Sequence, residues 1–318
     1  MKKMWHTADV DTSVLSGKTI AIIGYGIQGR AQALNLRDSG HRVIVGGREK
    51  GRGIAAAQGE GFLAFPTPEA VRRADVVFLL TPDDTHAEML AKEVNLSLRD
   101  GATLGFACGY AVRFGRISLP ANANVVMVAP KGPGRTLRER YVAGSGLPAL
   151  VGVTQDVAGD ALKVALAYAC GIGSGRAAII ESSFEEEADT DLFGEQAVLC
   201  GGIPMLMRKG FEILVSAGYS PEAAYIECIW EAKAIVDLIF AQGIDGMYSN
   251  VSPTARYGGL TRGLRVIDES VEGRMREVLE EIRSGKFAEE LASGKRAPGA
   301  HSRTLKSTYE RLTKAFGE

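Results

Sequence analysis

Thr19-Ile20-Ala21-Ile22-Ile23-Gly24-Tyr25-Gly26-Ile27-Gln28-Gly29 joins five uncharged, mostly apolar residues to a G-x-G-x-x-G loop. The uninterrupted apolar run reads as a strand buried on both faces. The glycine pattern alone is a weak signal, since a tight strand-to-helix turn would also use it. Here it follows a strand, opens a helical stretch at residues 28–39 and lies in the first βαβ unit. That context is what a dinucleotide fingerprint needs: backbone N–H groups and the positive end of a helix receive a pyrophosphate. Gly24, Tyr25, Gly26, Ile27, Gln28 and Gly29 are therefore candidate cofactor contacts.

Outward from this loop, short apolar runs recur at residues 42–45, 76–80, 102–106, 125–129, 150–153 and 177–180. Helical stretches at residues 86–94 and 156–170 lie between them. Strand and helix in turn give an α/β fold, a Rossmann-type doubly wound parallel sheet. After residue 181 the strands stop, and residues 192–214, 221–242 and 271–293 have helical periodicity. We expect two domains: an NADP-binding Rossmann domain over residues 1–181 and an all-α domain over 182–318. Glu185-Glu186-Glu187 reads as a solvated helix start, and the polar tail after residue 295 as loosely held.

The 37 Lys and Arg nearly balance the 38 Asp and Glu, so no bulk field favours nucleic acid or an acidic membrane. No run of 18 apolar residues appears, and the N-terminus lacks the apolar core of a secretory signal. Cys108, Cys170, Cys200 and Cys228 form no CxxC pair. A reducing cytoplasm fits that usage better than a disulfide scaffold or a zinc cluster.

The second apolar run ends at Val45-Gly46-Gly47, and Arg48, Glu49, Lys50 and Arg52 follow. A loop for NAD places an acid here to accept from the ribose 2′-hydroxyl. Arg48 as the first side chain, with Arg52 close by, favours a 2′-phosphate and hence NADP(H). Glu49 is the dissenting residue, and solvated charges are the plain alternative. Thr81, Pro82 and Asp83 follow another run, where loops at the carboxyl ends of strands meet the cofactor.

The second half carries two pairs of carboxylates, Asp191 with Glu195 and Glu227 with Glu231, each four residues apart among apolar neighbours. Each pair lies on one helical face, where like charges repel unless a cation neutralises them. Oxygen-only donors suit Mg²⁺ or Mn²⁺. One pair alone reads as a solvated face. Two pairs in one helical region point to four carboxylates gathering two hard cations, which could bind a small polar acid and polarise its carbonyl.

These residues resemble the ketol-acid reductoisomerase family in its short, class I form, over nearly the whole chain. The likeness rests on the glycine loop, on Ala129-Pro130-Lys131-Gly132-Pro133-Gly134, and on Thr190-Asp191-Leu192-Phe193-Gly194-Glu195-Gln196-Ala197-Val198-Leu199-Cys200-Gly201-Gly202. It extends to Glu227-Cys228 with Glu231, and to Val251-Ser252 before Tyr257-Gly258. The resemblance implies NADPH- and Mg²⁺-dependent conversion of 2-acetohydroxy acids to 2,3-dihydroxy acids in branched-chain amino-acid synthesis. It implies that Asp191 bridges two Mg²⁺, that Glu195 and Glu227 complete their shells, and that Glu231 sits near metal and substrate as a proton carrier. Ser252 and Cys200 would meet the substrate, Lys131 would stabilise its developing negative charge, and Pro130 would border the cofactor. The helical domain would be knotted and would form a homodimer or a higher homo-oligomer.

The chain departs from the family pattern at several positions. Cys108 stands where the family has an active-site histidine, and a thiol is the weaker donor, with a reference pKa of about 8.5 against about 6.5. Ile27 replaces a serine, Arg30 and Arg135 replace histidines, and Gly51 and Gly53 replace hydroxyl residues. Trp230 stands where His or Tyr is common, and Arg256 where an acid is common. One reading keeps the reductoisomerase with Cys108 among its catalytic residues. The other is a paralogue reducing a 2-keto acid or an imine without the alkyl shift. Cys108 as a covalent nucleophile, and a nucleotide-sensing homologue without catalysis, are weaker alternatives.

Overall fold

The computed structural model describes residues 2–295, 299 and 302–317. Contacts divide the chain into two units, Met1–Thr190 and Asp191–Glu318. In the first, the described residues form a nine-stranded sheet: β1 (Met4–Trp5), β2 (Thr19–Ile23), β3 (Arg42–Gly47), β4 (Leu63–Pro66), β5 (Val76–Leu79), β6 (Thr103–Phe106), β7 (Asn124–Pro130), β8 (Ala149–Gln155) and β9 (Ile179–Glu181). Their order is β1-β9-β8-β7-β6-β5-β2-β3-β4.

The strands form because both of their faces are buried. Ile20 and Ile22 enter a core with Val76, Phe78, Val126 and Tyr168. Ala21 and Ile23 enter a second core with Val77, Leu79, Leu104 and Met127. Successive side chains point to opposite faces, so an all-apolar strand must have cover on both sides. The chain runs from β2 out to β3 and β4, then crosses back to place β5 on the other flank of β2. That reversal opens a crevice outside the carboxyl ends of β2 and β5.

The sheet is not wholly parallel as expected. β8 runs antiparallel to β7, and β1 antiparallel to β9. Apolar periodicity reports burial and not strand direction, so neither reversal is visible in sequence. The short strands β1 and β4, and the helices Arg52–Gly59 and Thr67–Arg73, lay outside the expected elements. The helix expected from residue 156 begins later, at Ala161–Gly171, because Asp156 Oδ1 accepts from the Gly159 and Ala161 N–H groups and closes a turn first.

The second unit is helical in its described residues, but its helices are broken. The expected stretch 192–214 is the end of Phe184–Phe193, a π-helical segment Gly194–Leu199 and the helix Gly202–Ser216. The stretch 221–242 is Pro221–Tyr225, a second π segment Ile226–Trp230 and a helix Ala232–Ser249, whose Gly243 departs from helical geometry at φ 73°. The loosely held tail is corrected in part. Arg303–Phe316 is a helix whose Leu312 joins Phe211, Ala224 and Tyr225 in a small core. Residues 296–298, 300 and 301 of that tail lie outside the described residues.

Candidate functional site

The glycine loop is shaped by close approach. Gly24 (φ +96°) turns the chain out of β2, and a Cβ there would lie 2.7 Å from Thr81 Cγ2 and 2.9 Å from the Leu80 carbonyl oxygen. Only glycine fits that conformation beside that wall. At Gly29 a Cβ would fall 1.9 Å from the Gly24 oxygen, so the third glycine lets the helix Ile27–Asp38 sit against the loop. Around Gly26 nothing lies within 4 Å of a built Cβ. Gly26 caps this helix without any side-chain acceptor, so its first N–H groups face an open space. A pyrophosphate fits there.

This space belongs to a cleft of about 630 Å³ bordered by Gly24, Tyr25, Gly26, Arg48, Arg52, Thr81 and Pro82. Seven candidates from distant parts of the chain therefore meet. Ile27, Gln28, Gly29, Asp83 and Pro130 do not line it: Gln28 Nε2 donates to the Gly132 carbonyl at 3.0 Å and ties the Ala129–Gly134 motif to the glycine loop. Gly134 makes the approach feasible, since its Cβ would lie 2.3 Å from the Ile27 oxygen. Ile27 itself is exposed at the helix start.

Beyond β3, Arg48, Lys50 and Arg52 are exposed, and none of their side chains has a hydrogen-bond or ion-pair partner among the described residues. The Gly51 N–H bonds the Arg48 carbonyl at 2.8 Å, and a Gly51 Cβ would sit 2.8 Å from that same oxygen. The tight turn explains why a hydroxyl residue is absent from position 51. Arg48 and Arg52 thus bring two free guanidinium groups to one end of the cleft, the donor chemistry a 2′-phosphate requires.

The ends of β6 and β7 carry the second group. Cys108 is half-buried, and its thiol donates to Asp83 Oδ1 at 3.4 Å. Burial, with the Asp83 charge, pushes the thiol well above the usual range. That rules against Cys108 as a covalent nucleophile, which needs the thiolate. Lys131 Nζ pairs with Glu187 Oε1 at 2.6 Å, while Glu187 Oε2 accepts from the Gly109 N–H at 2.6 Å. The Glu187 side chain is only 1% exposed.

Glu187 therefore overturns part of the solvated reading of the acidic run, because it is needed to clamp Lys131 beside Cys108. It was missed as a site residue because the glutamates before it are exposed. The available signal was its spacing, four residues before Asp191 and eight before Glu195. The other departures have simple structural partners. Arg30 pairs with Glu60, which also accepts from the Tyr25 hydroxyl, and Arg135 pairs with Glu139 one turn away.

In the second unit one member of each carboxylate pair, Glu195 or Glu227, lies in a π-helical turn; Asp191 precedes the first of these turns and Glu231 follows the second. Cys200 N–H bonds the Glu195 carbonyl at 2.8 Å, and Glu231 N–H bonds the Ile226 carbonyl at 3.0 Å, each five residues back. Such widened turns recur at functional sites. Asp191 is half-buried, and Glu195, Glu227 and Glu231 are exposed. The donors are oxygen only, which fits a hard divalent cation. Among the described residues of one chain, no three His, Cys, Asp or Glu converge on a metal-sized site. Ser252 caps the helix Pro253–Val266 by accepting from the Ala255 N–H at 3.1 Å, so its own proton is left for an anion. Cys200 is exposed, and Trp230 packs on Phe316 with ring centroids 4.8 Å apart. Nothing in the structure explains Arg256.

The family model described as acetohydroxy acid isomeroreductase, NADPH-binding domain, matches residues 14–178. That described as ketol-acid reductoisomerase, C-terminal domain, matches residues 184–315. The chain is 53% identical over 290 residues to the ketol-acid reductoisomerase (NADP(+)) of Pyrobaculum aerophilum, covering 91% of this chain and 88% of that protein. It is 52% identical to the same enzyme of Pyrobaculum neutrophilum, with 91% and 89% covered. Among solved structures, an NADH-preferring ketol-acid reductoisomerase from an uncultured archaeon superposes with a TM-score of 0.94 at 39% identity, covering 99% of this chain and 100% of that one.

Proposed function

The chain belongs to the ketol-acid reductoisomerase family, and from that premise we propose that it is an NADPH- and Mg²⁺-dependent enzyme converting 2-acetohydroxy acids to 2,3-dihydroxy acids. The observation that supports this most is one chain carrying both a cleft suited to NADP and two carboxylate pairs, each with one member in a π-helical turn. NADPH supplies the hydride, and Mg²⁺ polarises the oxygens of a small acid.

The protein's own groups divide the work. The helix start at Ile27–Asp38 binds the pyrophosphate, and Arg48 and Arg52 hold the 2′-phosphate. Asp191, Glu195, Glu227 and Glu231 would hold two Mg²⁺. Since one chain does not gather them, the proposed site takes them from two copies in a homodimer or larger homo-oligomer. Lys131, fixed by Glu187, stabilises negative charge on the substrate oxygens. Ser252 donates to the substrate carboxylate, and the start of its helix adds positive potential. Glu231 carries a proton beside the substrate, with Cys200 at the border of the pocket. We place the enzyme in the cytoplasm, on the unpaired state of its four cysteines. No helix of the described residues is long and apolar enough to cross a membrane. The functional boundary near residue 181 and a knotted helical domain complete the proposal.

The test uses NADPH, Mg²⁺ and 2-acetolactate, then the pre-isomerised 3-hydroxy-2-keto acid. Turnover of both is expected. Turnover of only the second would replace this reading by the paralogue without the alkyl shift, and turnover of neither would remove the metabolic assignment.

A further inference from the structure

Cys108 stands where the resemblance leads one to expect a histidine, yet the structure brings another imidazole to the far side of the carboxylate that the thiol meets. We propose that His86 serves the site around Cys108 as a positioning residue, acting through Asp83, so that thiol, carboxylate and ring are joined in one chain when the ring takes up a proton. The role in the reaction rests on the reductoisomerase reading; the geometry does not.

Cys108 Sγ lies 3.4 Å from Asp83 Oδ1, and His86 Nδ1 lies 3.6 Å from that same oxygen. His86 is 3% exposed and stands against Phe106, with ring centroids 5.8 Å apart. Its Nε2 lies 3.0 Å from the Thr81 carbonyl oxygen, which can only accept. The proton therefore sits on Nε2, and in the neutral ring Nδ1 turns its lone pair toward Asp83. Nδ1 is buried without a hydrogen-bond partner. A buried polar atom left unpaired, with a carboxylate oxygen 3.6 Å away, calls for a partner that arrives in another state. Here two electron-rich atoms face each other, and a single proton placed between them closes the gap.

The location suits the chemistry. Asp83 follows β5 and Cys108 follows β6, on the flank of β2 opposite Arg48. A dinucleotide whose 2′-phosphate sits at Arg48 and whose pyrophosphate sits at Gly26 extends toward this flank with its nicotinamide end. The other charged and titratable groups near the chain are Asp84, Tyr110, Arg116 and Glu187. Burial holds His86 below the ordinary histidine range, while Asp83 and Asp84 oppose that effect. The ring is neutral at neutral pH and takes up its proton as the pH falls.

The test is a double-mutant cycle on the full chain, with NADPH, Mg²⁺ and the pre-isomerised keto acid, following kcat against pH. His86→Gln keeps a donor for the Thr81 carbonyl and removes the titrating nitrogen. It is expected to lower kcat about 10-fold and to delete one ionisation from the profile. Cys108→His in the same chain is expected to recover most of that loss. An equal loss in both backgrounds with an unchanged profile would mean a structural role and overturn the proposal. A second measurement needs no turnover: imidazole ¹⁵N NMR of the wild-type chain and of Asp83→Asn. His86 is expected to be protonated on Nε2 at neutral pH, with a titration midpoint that moves in Asp83→Asn. A ring indifferent to Asp83 would sink the inference whether or not the enzyme turns over either substrate, so its failure is separable from that of the reductoisomerase reading.

Discussion

The two units of this chain solve the problem of burying apolar surface differently. The first closes two cores on the two faces of its sheet, and residues such as Ile20, Ile22, Phe78 and Leu104 are fully buried. The second, among the described residues, closes a small core around Phe211, Tyr225 and Leu312. It leaves Tyr257, Leu260 and Leu264 exposed along one helix, Leu264 by 77%. Their i, i+3, i+7 spacing is that of a face made to be covered. The cofactor cleft is lined by one unit of one copy, whereas the proposed metal site would be finished by a second copy.

Three experiments break or sharpen that contrast. Asp191→Asn is expected to reduce turnover about 10³-fold or more, since a lost metal ligand removes several kcal/mol of charge stabilisation. NADPH binding, followed by fluorescence titration, should stay within about twofold because the cleft is formed by the other unit. A parallel loss of NADPH affinity would mean that the halves are not separable. Next, Leu260→Glu combined with Leu264→Glu should shift the protein toward monomers on size exclusion and lower activity about 10²-fold, while cofactor affinity holds. An unchanged elution volume would show that this face is not the covered one. The smallest effect concerns the self-sufficient half. Arg48→Asp should weaken NADPH about 10-fold to about 100-fold and NADH about twofold, as loss of a charge-assisted pair predicts. Equal weakening of both would remove the 2′-phosphate role.

Most of the first unit was readable in the chain because its strands are apolar without interruption, which only a sheet covered on both sides explains. The strand β4 escaped because its residues are exposed or half-buried and end in Pro66, so they carry no burial signal. Both carboxylate pairs were visible through their four-residue spacing. Their π-helical setting was not, since a widened turn is set by packing and by hydrogen bonds across five residues. Glu187 and His86 were missed for a related reason. Each owes its place to partners far along the chain, at Lys131 and Gly109 in one case and at Phe106 in the other. Cys108 was singled out by its departure from a pattern, and only coordinates could show that it shares an oxygen of Asp83 with His86.

The π-helical turns also have a cost in register. Each accommodates one residue more than a regular helix would, and rotates everything beyond it by roughly a quarter turn. Deleting one residue from Gly194–Leu199 would let the segment relax into an uninterrupted helix with a more regular ladder. The shortened protein would gain order and lose the azimuth that sets Asp191 and Glu195 relative to the helix that follows. In this half of the molecule, a sequence optimised for helical regularity would be optimised away from catalysis.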